Sequence, residues 1–340
     1  MSRALPWLAR QIIILEYMAI VKSANLKDRI LSTLRFFDLQ DQPLTLQELH
    51  WFLIADWQEL KPRLDSQSEI TNIEGESEKI SIDEILRCLE TECHGFVQNS
   101  RSFYHLPGRA EIVDIRLNGY FYGIEREKLI KKYARGLRHI PFVRGAALAG
   151  SQAMGRQKDS SDIDLFIITD PRYMWLARTL VTAYFQILGK RRHGNSIANR
   201  FCLNHYVAGA KKITQLRNLY TAYEYAKLRP LVYDPAIISF QNQNQDWLKS
   251  FFPNLSFEQE EKVPQSAGQK FFEKFFSGGF GRFVERALKS WQLPKIHQQK
   301  FIVVEEDELS FHPDSKQQQL LADFTQFQQQ QQRVAVKLVV

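Results

Sequence analysis

The chain has 340 residues, of which 44% are hydrophobic and 24% charged. That is enough apolar side chain to pack two domains of ordinary size, and too much for wholesale disorder. The formal net charge of +7 suits a phosphate-bearing ligand or nucleic acid without requiring either, and three cysteines (Cys88, Cys93 and Cys202) with no CxxC pair exclude a disulfide framework and a cysteine zinc site, which points to reduced thiols in a cytoplasmic protein.

Residues 4–21, ALPWLARQIIILEYMAIV, are apolar but interrupted by Arg10 and Glu16. A membrane span needs about 20 mostly apolar residues, and a secretory core would not hold Glu16, so residues 1–25 are expected to form a packed amphipathic helix, with a membrane-surface helix as the alternative. From Leu26 to Asp38, apolar residues at Ile30, Leu31, Leu34 and Phe37 recur at helical spacing. Pro43-Leu44-Thr45 breaks that pattern, and Thr45 with Glu48 three residues on has the capping-box spacing for a helix running to about Ile54. Ser66 to Lys79 is polar and acidic and reads as a loop. Ser81 and Glu84 form a second capping box, opening a helix to Glu90. Residues 95–108 read as a hairpin, with strands at Phe96-Val97 and Phe103–Leu106 and a polar tip at Gln98–Arg101. Three helices followed by a hairpin is the order of a winged helix, expected over residues 26–110. The third helix carries Arg87 as its only basic residue, which favours a structural or protein-contacting role over reading DNA.

Between Arg126 and Arg144 there are seven Lys or Arg and one Glu. Lys128, Lys131, Arg135 and Arg138 share one helical face, and Ile130, Tyr133, Leu137 and Ile140 share the other; the basic face is either a solvated surface or a platform for phosphates. Val143–Ala149 reads as a short buried strand, Asp162–Thr169 as a second, Tyr173–Leu188 as a helix and Arg200–Val207 as a third strand, with a possible fourth at Lys212–Leu216. Beyond Tyr220 the pattern is largely helical. The segments at residues 235–240 and 251–254 look like connections, and Phe301–Val304 like an extra strand. The glutamine-rich stretch from Lys316 to Gln332 holds a helical stripe of Leu320, Leu321, Phe324 and Phe327.

The chemistry concentrates in residues 148–169, LAGSQAMGRQKDSSDIDLFIIT. A buried strand ends at Gly150-Ser151, where glycine permits close approach of backbone to a ligand, a helix beginning there would offer free N–H groups to phosphate, and Ser151 adds a hydroxyl. Asp162-Ile163-Asp164-Leu165 follows. Strand alternation puts Asp162 and Asp164 on one face, and two neighbouring carboxylates suit a magnesium ion that also takes substrate phosphates.

This pattern resembles the polymerase-β-like nucleotidyltransferase superfamily, which includes the kanamycin and minimal nucleotidyltransferases: a hydrophobic residue, Gly-Ser, a spacer of ten residues here, then Asp-hydrophobic-Asp-hydrophobic. The layout is also similar to bacterial proteins that join a winged helix to such a domain. The resemblance implies an α+β fold: a nucleotidyltransferase core with a short mixed sheet over residues 111–215, followed by a helical C-terminal region, 216–340. It implies that Gly150 and Ser151 seat an NTP triphosphate, that Asp162 and Asp164 hold Mg2+ or Mn2+ and are catalytic, and that an acceptor hydroxyl on a protein, an RNA or a small molecule receives the nucleoside monophosphate. Arg156, Lys158 and Arg178 are candidate phosphate contacts, and Lys190-Arg191-Arg192-His193 is a basic cluster near the third strand.

One departure stands out. The superfamily usually supplies a third carboxylate from the next strand, and here that strand reads RFCLNHYV, with Asn204 on the face of Cys202 and Tyr206. His205 could serve as a base at neutral pH but is expected to point to the opposite face, and Glu224 is a carboxylate that could fill the role from elsewhere. Two further functions therefore stand beside a transferase: a non-catalytic nucleotide sensor, and a winged-helix DNA-binding regulator. No membrane span is expected.

Overall fold

The computed structural model describes residues 25–57, 60, 78–213, 217–232, 234–257, 267–276, 278–298, 303–305, 307–311 and 314–339. The expectations for residues 1–24, for the loop through residue 77, for residues 214–216 and for residues 301–302 fall outside them. The fold is α+β with a mixed sheet, and it divides into two compact units: residues 1–114, 249–255 and 324–340 in the first, and 115–248 and 256–323 in the second. No helix among the described residues is long and apolar enough to cross a membrane.

In the first unit, residues 25–38 form α1, which buries Ile30, Leu34 and Phe37 as the spacing requires. Helix α2 (Leu46–Trp51) carries the Thr45/Glu48 capping box and α3 (Ile82–Thr91) the Ser81/Glu84 box. Helix α2 stops before Ile54 because the backbone after it bonds elsewhere. Ile54 N–H donates to Thr33 Oγ1 at 3.0 Å, and Ala55 N–H to the Phe251 carbonyl at 2.9 Å. The hairpin pairs β1 (Gln98–Ser100) with β2 (Phe103–His105), antiparallel. Its tip is Arg101-Ser102, not Gln98–Arg101. Both residues take positive φ, 53° and 66°, the conformation that matches a two-residue turn to strand twist. Gln98 to Ser100 are polar because that strand is mostly exposed, so its composition resembled a loop.

The second unit begins in α4 (Glu111–Ala134), which passes into a 3-10 turn at Arg135–His139. Then come β3 (Val143–Leu148), the short α5 (Gly150–Met154), β4 (Ile163–Thr169), α6 (Met174–Ile187), β5 (Phe201–Ala208), α7 (Leu219–Ala226), β6 (Arg229–Val232), α8 (Asp234–Phe251), α9 (Ala267–Phe276), α10 (Gly279–His297), β7 (Val303–Val304), β8 (Glu308–Ser310) and α11 (Asp314–Val339). The sheet order is β6-β3-β4-β5-β8-β7, and β4/β5 is its parallel pair. One face of the sheet, with Ile163, Leu165, Ile167, Phe201 and Tyr206, packs on Ile130, Leu137, Trp175 and Phe185. On the other, Phe166 meets His205, Tyr225 and Phe240.

Three strands from beyond residue 215 complete this sheet, so the C-terminal region is not helical throughout and is not a layer separate from the core. Of the expected strand at Lys212–Leu216, residues 212–213 are in no ladder and the rest lie outside the described residues; the next described strand after β5 is β6. Residues 235–240 are helix, not a connection, because Ile237 and Phe240 are needed inside to cover the sheet. Strand β5 also carries a bulge. Asp164 pairs with Cys202, but two residues on Phe166 pairs with His205, three residues on. Simple alternation therefore fails across residues 202–206: Tyr206 goes to the α6 side and His205 joins Phe166 on the side of Asp164.

Candidate active site

Gly150, two residues beyond the end of β3 and the first residue of α5, lies in the left-handed region, φ +57°. A Cβ there would lie 2.3 Å from Asp164 Oδ2 and 3.0 Å from its Cγ. The glycine is thus required first by the Asp164 carboxylate lying against the backbone, rather than only by close approach of a ligand. Ala149 N–H donates to the Asp164 carbonyl at 3.0 Å, which fixes the two segments together. Asp162 immediately precedes β4. Its carboxylate, that of Asp164 and the Cys202 thiol bring one ligand atom each within 4.8 Å of one another.

Every member of this cluster has a polar neighbour. Arg192 Nη1 donates to Asp162 Oδ2 at 2.6 Å and lies 3.4 Å from Cys202 Sγ. Asn204 Nδ2 donates to Asp164 Oδ1 at 3.0 Å. Burial pushes the Cys202 thiol up to about 12, with the charges of Asp164 and Asp162 adding to the effect, so it stays protonated at neutral pH. Asn204 Oδ1 is buried and has no hydrogen-bond partner among the described residues. Two carboxylates are hard donors suited to Mg2+ or Mn2+, and a neutral thiol adds little to them.

Arg156 belongs to the same neighbourhood. Burial raises the Tyr220 hydroxyl to about 12, and the charges of Glu224 and Asp164 add to that while Arg156, by charge and hydrogen bond, opposes it. Arg156, buried Glu224 and Asp164 are therefore each within electrostatic reach of the Tyr220 hydroxyl. Arg156 Nε, Gln152 Oε1 and Gln157 Oε1 are also buried and unpartnered among the described residues, and the two glutamine side chains lie against Gly123 of α4. Ser151 is half-buried beside Gly150, and its carbonyl accepts from Arg156 N–H at 2.9 Å.

Other expected residues are placed differently. Lys158 is exposed, with its N–H bound to Ser161 Oγ at 2.9 Å. Arg178 bonds Gln292 and lies 5.9 Å and 5.1 Å from the ring centres of Tyr206 and Phe311. Tyr206 is on the α6 side of the sheet, so Arg178 is held on the face turned away from Asp164 and is not a phosphate contact at this site. Burial pulls its guanidinium below its ordinary range. His205 shares the Asp164 side because of the bulge, against expectation, but its Nε2 lies 3.2 Å from Glu308 Oε1. The face with Lys128, Lys131, Arg135 and Arg138 is exposed as expected.

Arg126 departs from that basic face. It is 4% exposed, and it donates to Asn199 Oδ1 at 2.7 Å and to the Asp159 carbonyl at 2.6 Å, with a further bond to the Lys158 carbonyl. It clamps the loop between the two halves of the motif. Burial lowers its pKa, and Asp159 and Asp162 act against that. Neither this clamp nor Arg192's pairing was legible as such. Arg192 lay within a recognised basic cluster, but the Arg191–Phe201 bridge is what sets it beside Cys202.

Comparison of the chain with protein-family profiles, with curated proteins and with solved structures gave no match.

Proposed function

We propose that the second unit is a metal-dependent nucleotidyltransferase of the polymerase-β-like kind, moving a nucleoside monophosphate from an NTP to a hydroxyl of a protein, an RNA or a small molecule. The observation that carries this reading is the seat at Gly150: a glycine just beyond β3 with the Asp164 carboxylate in the space of its missing Cβ, and Asp162 close to Asp164. The run β3-α5-β4-α6-β5, antiparallel then parallel, supports it by bringing the end of β3 and the start of β4 together.

When bound, Mg2+ or Mn2+ supplies charge neutralisation for the triphosphate. Asp162 and Asp164 would hold it. The Asn204 amide orients Asp164 through its hydrogen bond. Ser151 and Arg156 are the proposed partners of the phosphate oxygens, and Arg192 balances the charge of Asp162 in the absence of a cation. These residues position and neutralise, and the proposal includes no covalent intermediate on the chain.

A second reading is a nucleotide-binding sensor, favoured by Asn204 itself, since an amide brings neither charge nor a useful base to the place of a third carboxylate. For the first unit we propose a winged helix. The order α1, α2, α3, β1, β2 supports this, as does the bridge from Leu44 to Tyr104, with N–H···O distances of 3.0 and 2.7 Å. Helix α3, with Asp83, Glu84 and Glu90 against Arg87, favours a protein contact over a DNA-binding regulator. We propose a cytoplasmic setting on the sparse cysteines, which include no CxxC pair.

The test is calorimetric titration of each NTP with Mg2+ into the wild type and the Asp162→Asn, Asp164→Asn double variant, alongside transfer of labelled NMP in lysate. Loss of Mg2+-dependent binding in a protein that still unfolds cooperatively is expected. Equal affinity in the two proteins would remove the site assignment, and binding without labelled product would select the sensor.

A further inference from the structure

Helices α9 and α10 carry two acidic residues, and both turn inward. Glu273 accepts from Phe142 N–H at 2.7 Å and from Arg144 Nη1 at 2.7 Å. Glu285 accepts from the N–H groups of Trp175 and Leu176, each at 2.8 Å. Gln269 and Gln292 are buried and hydrogen-bonded on the same side: Gln269 Nε2 donates to the Val143 carbonyl at 2.7 Å and Gln292 Nε2 to Thr179 Oγ1 at 3.0 Å. The inner face of this helix pair is therefore fully committed to the second unit.

The outer face is of another kind. Phe271, Phe272, Phe275, Phe280, Phe283 and Trp291 are all between 53% and 72% exposed. The rings run on from one helix to the next, since Phe275 and Phe280 are 5.9 Å apart. The charged residues among them are all cations, with Lys270, Arg282, Arg286 and Lys295 exposed and the Lys295 ammonium 3.9 Å above the Trp291 ring. Large aromatic side chains left in water along two successive helices mark an interaction surface. Interleaved Phe, Trp, Lys and Arg on helices that lie flat is the composition suited to the boundary between acyl chains and anionic headgroups. No described helix can span a bilayer, so the surface fits lying on a membrane rather than crossing it. A second copy of the chain would bring cations against cations, which disfavours self-association through this face.

We propose that the α9–α10 face docks the protein on an anionic lipid bilayer, with the rings entering the interface and the cations meeting lipid phosphates. The proposal is independent of the active-site reading. The experiment is co-sedimentation of the full chain with phosphatidylcholine vesicles with and without phosphatidylglycerol. Binding is expected only with the anionic lipid, and it should weaken as salt is added. Lys270→Gln with Arg282→Gln should reduce it about fivefold for each charge removed. Phe271→Ser with Phe283→Ser should reduce it at least about tenfold, with an unchanged melting temperature because both rings are exposed. Absence of binding to the anionic vesicles, or equal binding by the aromatic variant, would overturn the proposal. So would a dimer in sedimentation velocity that the Phe271→Ser, Phe283→Ser variant dissolves, and so would retention on nucleic acid or an acidic protein with none on vesicles.

Discussion

Gly150→Ala separates what the backbone demands from what the site demands. The substitution meets two obstacles. The first is the positive φ of +57°, which costs an L-residue roughly 1–2 kcal/mol. The second is the Asp164 carboxylate, 2.3 Å from the new methyl group. Asp164 must rotate away, and its bond from Asn204, 3.0 Å in the native structure, is lost with it. A hydrogen bond to a charged group contributes about 1.5–3 kcal/mol, so the total expected loss is about 3–5 kcal/mol. Gly155 is the control. Its φ is +72°, but a methyl group there would come no closer than 3.6 Å, to Tyr120, so Gly155→Ala should lose only about 1–2 kcal/mol. Urea unfolding of both variants, and of each in an Asp164→Ala background, gives the cycle. With Asp164 truncated, Gly150→Ala should fall to the cost of the control. Mg2+-dependent NTP binding should drop for Gly150→Ala and hold for Gly155→Ala. Equal losses for the two glycine variants, or an undiminished cost of Gly150→Ala in the truncated background, would refute the claim that the glycine exists to admit the carboxylate.

Two other perturbations follow from the same contacts. Asn204→Asp sets a second negative charge against Asp164, so in a chelator it should be destabilised by about 1–3 kcal/mol, one to two pKa units of like-charge repulsion, and Mg2+ should restore more stability to it than to the wild type; identical melting shifts with metal in the two proteins would mean that residue 204 does not serve the ion. Asp170 gives a pH dependence: burial opposes its charge, but the Arg172 N–H and the Arg144 guanidinium outweigh it and hold the carboxyl below its ordinary 3.8. A depressed carboxylate adds stability that is present above the ordinary value and lost as pH falls through the lower one, so the wild type should lose stability more steeply than Arg144→Met below about pH 4, and parallel acid titrations of unfolding would count against the ion pair.

Local spacing in the sequence determined much of this protein. The capping boxes at Thr45 and Ser81, the stripe through α1 and the apolar runs of β3 and β4 each depend on residues a few positions apart, where helix and strand periods act directly. The grouping of Gly150, Asp162 and Asp164 was legible for the same reason, because a strand end and a strand start with such side chains restrict their own geometry. Tertiary structure decided whatever depended on distant segments. Arg126 and Lys128 are two positions apart in one basic run, and only packing buries the first under the motif loop. Arg178 reads as a site cation until Gln292 and Tyr206 hold it on the opposite face. Residues 229–232 and 308–310 become strands because edges of the sheet need partners, a demand that arises once β3, β4 and β5 are assembled. The bulge in β5 reverses the side of His205 without any signal in residues 201–208. Side-chain alternation is a local rule, but the register that shifts it is set between strands.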